Sequence, residues 1–205
     1  MSVKSPAQLT YKYDHRRGRA RRIVDAVLAT LLLALGAPLL AIAAIAILIE
    51  DGRPIAFTQK RVGRFERLFT IYKLRTMRHA DCTDRQKTTN ASDPRITRVG
   101  RVLRKTSIDE LPQLINVIRG EMSLVGPRPE MPFMTERYER WQHMRHLVSP
   151  GLTCIWQTTC RAEVPLHEPA ATALDLHYIR NASPALDGAL LAQTVVSVLR
   201  PKGAL

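Results

Sequence analysis

The chain has 205 residues, enough for one catalytic-sized domain with an appendage and for a core that needs no disulfide support. Its 31 Lys and Arg against 18 Asp and Glu give a formal charge of +13, which favours a polyanionic partner: nucleic acid, anionic lipid or a phosphorylated substrate. Three cysteines, Cys82, Cys154 and Cys160, form no C-x-x-C pair and have no nearby histidine at ligand spacing, so neither a disulfide framework nor a zinc site is indicated and the reducing cytosol is the expected compartment.

Residues 26–49, AVLATLLLALGAPLLAIAAIAILI, carry no charge and are apolar all round, which assigns them to lipid. Basic residues before them and Ala41-Ile42-Ala43 mimic a secretory leader, but the uncharged run exceeds the usual length of about 7–15 residues. As a helix the run would extend about 36 Å against a hydrocarbon core of about 30 Å, so a span is feasible. Gly36 and Pro38 fall at its middle, where proline removes a backbone hydrogen bond and predicts a kink; each half could then reach the bilayer centre and return. Arg16, Arg17, Arg19, Arg21 and Arg22 precede the run, and Arg53, Lys60, Arg61, Arg64 and Arg67 follow it. Positive charge tends to stay cytoplasmic, so this symmetry favours both ends on one face. Composition alone leaves hairpin and span open. Residues 1–20 read as a basic tail, 21–50 as the membrane segment and 51–205 as one cytosolic domain.

In that domain two alternating stretches, 55–59 and 68–72, flank a basic segment containing Gly63 and predict a β-hairpin. Helices are predicted over 111–118, 135–147 and 168–180. A fourth opens at Ser183-Pro184 and carries Leu186, Leu190, Leu191, Val195 and Val198 on an apolar face that packs on the core or lies on the membrane surface. There is no Walker A loop and no G-x-G-x-x-G fingerprint, so any bound nucleotide phosphate must be held by basic side chains and helix N-termini. Nucleic-acid binding would suit the charge, but an aromatic content of 5% offers few stacking platforms and no nucleic-acid motif is present.

The densest cluster of informative residues is DPRITRVGRVLRKTSIDELPQLINVIRGEMSLVGPRPE, residues 93–130. Arg95, Arg98, Arg101, Arg104 and Lys105 crowd its start, an arrangement that a solvated basic face would also explain. Ser107-Ile108-Asp109-Glu110 has capping-box spacing, with Pro112 awkward for a helix begun at Ser107 and harmless for one capped by Asp109. In either register two adjacent carboxylates follow five cations, where a phosphate could bind, a carboxylate could attack phosphorus, and a divalent cation could be shared with phosphate oxygens. In Gly126-Pro127-Arg128-Pro129 two prolines fix how one guanidinium is presented, which suits a phosphate oxygen.

These residues resemble the bacterial sugar transferases, the monotopic phosphoglycosyl transferases that start glycan assembly on undecaprenyl phosphate. The likeness runs over about residues 20–200: RIVD at 22–25, QKRVG, IYKLRTM, the 93–130 block and SPGLTCIWQ. It implies a helix-dominated α+β chain: a re-entrant membrane helix-break-helix broken near Pro38, then a compact cytosolic catalytic domain with a small β-hairpin and amphipathic interfacial helices, at the inner membrane. It further implies that Asp109 attacks the sugar-bearing phosphorus of a UDP-sugar, expels UMP and passes the phosphosugar to undecaprenyl phosphate. Glu110 would help hold Mg²⁺. Arg104 and Arg128 match the family's phosphate-binding arginines, and Lys73, Arg75, Arg161 and Asp175 match further substrate-binding positions. The resemblance implies a bilayer and no nucleic acid as partner, leaves self-association open and does not name the sugar. The chain departs from the family in having Cys154 and Cys160 where glycine is frequent, which predicts a rearranged loop before Arg161.

Overall fold

The computed structural model describes residues 6–78, 93–160 and 164–199, with side chains described from Gly18 to Val198 within those stretches. The first helix, α1, runs Pro6–Asp51, and its one residue outside helical angles is Gly18 (φ 44°, ψ −179°). The break expected at Pro38 does not interrupt it: helical angles continue through Gly36 and Pro38. Proline still removes the bond its N–H would make to Ala34, a local loss that a helix in lipid tolerates.

Asp25, Ala29, Ala43 and Ile47 are buried against the domain, with Leu33, Gly36 and Leu40 partly buried between them, a spacing that follows one face of a helix. On another face Leu35, Ile42 and Ile49 are 79%, 65% and 82% exposed. Among the described residues α1 supplies the one helix long and apolar enough to cross a membrane. An exposed apolar face of this length marks a surface made for a nonaqueous neighbour.

Both ends of the apolar segment are tied to the same polar domain. At its start Arg22 donates to the carbonyls of Val117 (2.7 Å) and Ile118 (2.6 Å), and Asp25 accepts from Ser123 Oγ (2.6 Å). At its end Glu50 accepts from the backbone N–H groups of Arg98 (2.7 Å) and Val99 (2.8 Å), and Asp51 pairs with Arg75 (3.0 Å). Glu50 thus satisfies donors in the first turn of the next helix, where a carboxylate is also favoured by the helix dipole.

The hairpin forms as the alternation predicts: β1 (Ala56–Val62) pairs antiparallel with β2 (Leu68–Leu74), from Ala56 opposite Leu74 to Val62 opposite Leu68. Phe69 and Ile71 of β2 enter the core, and the two-residue period puts Lys73 on their face. Then come α2 (Arg98–Thr106), a 3-10 turn (Ile108–Gln113) and α3 (Leu114–Arg119). Buried Asn116 of α3 accepts from the N–H of Tyr72 (3.3 Å) and donates to the carbonyl of Thr70 (2.7 Å), fixing the hairpin to the helix. After α3 a second, parallel pair joins β3 (Ser123–Val125) to β4 (Gly151–Thr153). Strands of three residues have too few side chains to show alternation, which is why sequence patterning gives no sign of them.

The helix expected over 135–147 divides into α4 (Pro132–Thr135) and a 3-10 helix (Gln142–Leu147). Between them the Gln142 side chain accepts from the N–H of Glu139 (2.9 Å), giving the backbone a partner outside a helical ladder. Helix α5 (Ile155–Thr159) precedes α6 (Pro169–Asn181) and α7 (Pro184–Leu199), which begin within a residue or two of the positions expected. Leu190 of α7 is buried in the core, whereas Val195 and Val196 are more than half exposed. The two alternatives for that helix therefore divide along its length: its first turns pack on the domain and its end presents apolar side chains outward.

Candidate active site

The 3-10 turn that follows α2 sets the site. Thr97 caps α2 by accepting from the N–H of Gly100 (2.8 Å), and Ser107 ends it in the left-handed region (φ 57°, ψ 17°). An α-helix begun at Ser107 would need an N–H from Pro112 to reach Ile108, and proline has none. The chain instead takes a tighter turn over Ile108–Gln113 and resumes as an α-helix at Leu114. The capping box does not form: Ser107 makes no side-chain cap, and the side chain of Glu110 points elsewhere.

Glu110 is buried and lies between two cations. Its Oε1 is 2.7 Å from Lys73 Nζ and also accepts from Arg128 Nη2, while Oε2 accepts from Arg128 Nη1 at 3.2 Å. Arg128 Nη1 further donates to Gln157 Oε1 at 2.6 Å. Burial lowers the Lys73 ammonium below the usual lysine range, against the pull of Glu110. Burial acts likewise on Arg128, but Glu110 outweighs it and holds the guanidinium above its usual value. Asp109, 7% exposed, is adjacent, and its charge acts on both Lys73 and Arg128. Lys73, Asp109, Glu110 and Arg128 are thus brought together from the hairpin, the 3-10 turn and the Gly-Pro-Arg-Pro loop.

The other expected site residues are placed differently. Arg104 donates to Thr76 Oγ1 (2.8 Å), and α2 rests so closely on Thr76 that a Cβ on Gly100 would come 2.1 Å from its carbonyl oxygen. Arg75 is buried and donates to the carbonyls of Asp51 (2.9 Å) and Gly52 (2.8 Å), so it closes the end of α1. Asp175 is buried against Arg145 at 2.7 Å, and burial pushes its carboxyl up to about 6. Arg161 lies outside the described residues, as does Cys82. Cys154 (φ −154°, ψ 168°) and Cys160 (φ −137°, ψ 21°) occupy backbone angles that need no glycine, so replacing glycine there imposes no strain. Burial pushes the Cys154 thiol up to about 12, which leaves it unreactive.

Three residues that sequence reading misses complete the site. Arg145 Nη2 donates to the carbonyl of Arg128 at 2.8 Å, Gln157 binds the Arg128 guanidinium, and Thr76 binds Arg104. Thr76 and Gln157 lie within the IYKLRTM and SPGLTCIWQ stretches and Arg145 in neither, but nothing local marks their partners, and only the fold brings them into place. The Arg128 loop is also joined to β4: Gly126 donates to Thr153 O (3.0 Å) and Gly151 donates to Pro127 O (2.8 Å). A Cβ on Gly151 would lie 2.0 Å from Gly126 N, so this approach requires glycine. Gly151→Ala is expected to cost about 1–3 kcal/mol, lowering the melting temperature by several degrees, and to cut activity by displacing Arg128. Thermal unfolding in detergent, with activity measured alongside, checks this.

Adjacent carboxylates are hard oxygen donors and fit a small divalent ion such as Mg²⁺; because Glu110 already binds Lys73 and Arg128, an ion there would share its oxygens with them. The arrangement as a whole offers a carboxylate nucleophile beside cations fit for phosphate. The chain belongs to the bacterial sugar transferase family, whose family model matches residues 16–201. It is 41% identical over 187 residues to the undecaprenyl-phosphate glucose phosphotransferase of Komagataeibacter xylinus (85% of this chain, 35% of that protein). It is 42% identical over 188 residues to the UDP-glucose:undecaprenyl-phosphate glucose-1-phosphate transferase of Caulobacter vibrioides (87% of this chain, 69% of that one). An Aeromonas hydrophila protein, UDP-N-acetylgalactosamine-undecaprenyl-phosphate N-acetylgalactosaminephosphotransferase, is 35% identical over 189 residues (90% of this chain, 44% of that protein). The chain thus spans less than half the length of two of these three relatives.

Proposed function

We propose that this chain moves a sugar-1-phosphate from a UDP-sugar to undecaprenyl phosphate with release of UMP, at the cytosolic face of the bacterial inner membrane, as the first step of exopolysaccharide or glycoconjugate assembly. The observation that carries the reading is the buried Asp109 beside Glu110, with Lys73 and Arg128 converging on the Glu110 carboxylate. The names of the relatives point to the same donors and acceptor.

In this reading an oxygen of Asp109 attacks the phosphorus that bears the sugar. The bond from that phosphorus to UMP breaks, UMP leaves with the electron pair, and the phosphosugar stays on Asp109 as an aspartyl phosphate. An oxygen of undecaprenyl phosphate then attacks the same phosphorus and Asp109 departs as a carboxylate, so that two displacements replace one hard exchange. Lys73, Arg104 and Arg128 bind the phosphate oxygens of the donor, with Arg128 as a planar fork. Mg²⁺ held with the help of Glu110 would supply neutralisation of the charge that builds on the departing phosphate.

The lipid acceptor requires the site to sit at a membrane, and two features of α1 support that. Its exposed face is apolar along its length, and Arg22 and Glu50, at opposite ends of the apolar segment, are bound to one polar domain. Both ends then lie on one side of the bilayer, the side of the polar domain to which they are bound. Leu111, two residues after Asp109, faces Gly36 of this segment, so the nucleophile stands next to the membrane element.

The test is incubation of the detergent-purified chain with undecaprenyl phosphate, Mg²⁺ and a panel of UDP-sugars, recording UMP and the mass of the lipid. UMP together with a polyprenyl diphosphate sugar is expected, and excess chelator should stop both. Absence of a lipid product with every donor overturns the reaction; full turnover in chelator removes the ion from it.

A further inference from the structure

A second cluster of ligating side chains uses none of the residues of the carboxylate site. The turn of the β1–β2 hairpin carries Glu66, and the 3-10 helix Gln142–Leu147 carries His143 and His146. In a 3-10 helix residues three apart eclipse one another, so the two imidazoles share one side. One ligand atom from each of the three residues lies within 4.8 Å of the others: Glu66 Oε1 is 2.7 Å from His143 Nδ1 and 3.6 Å from His146 Nδ1.

An independent observation comes from His146. Its side chain is 7% exposed, and neither ring nitrogen makes a hydrogen bond. Buried polar atoms are seldom left in this state, since their lost hydration then goes uncompensated. The Tyr138 ring stacks over this imidazole (6.1 Å between centroids, 13° between planes), and Nδ1 faces Glu66. Burial first, with the Arg145 charge adding to it, lowers the His146 pKa to about 4, so its lone pair is available at neutral pH.

We infer that Glu66, His143 and His146 form a binding site for a divalent transition-metal ion, Zn²⁺ by its ligand chemistry. Two imidazole nitrogens and one carboxylate oxygen are a donor set suited to zinc, with the fourth position left for water on the open side, where Glu66 is 56% exposed. Bonds of about 2.1 Å in a tetrahedron set neighbouring donor atoms about 3.4 Å apart. The Glu66–His146 separation already matches this, and the Glu66–His143 hydrogen bond opens by less than an ångström when an ion replaces the proton. Imidazole donors disfavour Mg²⁺, so this site is distinct in chemistry from the carboxylate pair. An ion here would join the hairpin turn to the helix that carries Arg145, the residue holding the Arg128 carbonyl.

The test uses the full chain in detergent, stripped of metal and freed of chelator, then titrated with Co²⁺ as a spectroscopic stand-in and with Zn²⁺ in competition. One equivalent of Co²⁺ should bind with the visible absorption of a four-coordinate ion, yield to Zn²⁺ and resist excess Mg²⁺. His143→Ala and Glu66→Gln change partly exposed side chains; each should weaken binding by more than about tenfold, the scale on which even outer-sphere partners act. His167→Ala and His177→Ala should bind as wild type does. Zn²⁺ should raise the melting temperature of wild type but not of His143→Ala, while the metal-free forms of the two melt alike. No saturable equivalent in wild type, or unchanged affinity in both His143→Ala and Glu66→Gln, overturns the site.

Discussion

Asp109→Asn is expected to lower turnover by about 10⁴-fold or more, roughly 5 kcal/mol of barrier, while the protein remains folded. Asparagine has the volume of aspartate but a neutral amide, which does not attack phosphorus, and Lys73 and Arg128 are hydrogen-bonded to Glu110. The companion measurement separates a nucleophile from a group that merely assists. Wild type mixed with donor and no acceptor should release about one UMP per active site and carry a phosphosugar mass on the peptide containing Asp109, because the first displacement then has no successor. The Asn variant should do neither. Turnover by Asp109→Asn within tenfold of wild type would remove this residue from the covalent step; a phosphosugar mass on a different peptide would place the nucleophile elsewhere.

Local pattern made the apolar segment, the hairpin and the 93–130 block readable, because each depends on composition or on a short period within one stretch. Glu110 shows where such reading stops. Its spacing from Ser107 fits a capping box, yet two cations from distant segments offer a buried carboxylate more than a backbone N–H can, and the tertiary partners prevail. Arg75 stands in the same motif as Lys73, but it lies just past the end of β2, where its guanidinium closes α1 at Asp51 and Gly52 instead of joining the carboxylate pair. The Glu66, His143 and His146 cluster was out of reach for another reason: Glu66 is 77 positions from the nearer histidine, and only the docking of the hairpin turn on the 3-10 helix brings them together. Asp175 was readable as a conspicuous acid, but its partner was not, since nothing in the linear chain links it to Arg145.

That buried pair carries the other large effect. Arg145 is 1% exposed and donates to Tyr138 Oη (2.6 Å) and Arg128 O (2.8 Å) while pairing with Asp175 (2.7 Å). Arg145→Met keeps much of the volume and leaves a buried carboxylate, a hydroxyl and a carbonyl without their donor. Removing one partner of a buried pair costs about 3–5 kcal/mol, on the order of 10 °C in melting temperature here. The pH dependence follows from Asp175, whose folded pKa of about 6 lies above its ordinary 3.8 because burial disfavours the charged form. A raised carboxyl contributes stability that is present below the ordinary pKa and is lost as pH rises through the folded one. Arg145 lowers this pKa, so the Met variant holds its proton to higher pH and continues to lose stability above pH 6, where wild type has levelled. The penalty of Arg145→Met should therefore grow with pH above about 6 and flatten below it, which melting temperatures from pH 5 to 8 would reveal; a pH-independent penalty would mean that Asp175 is not the group left exposed. Arg145→Lys should recover part of the stability but little of the activity, since a point charge can neutralise Asp175 without also forming the fork that holds the Arg128 carbonyl.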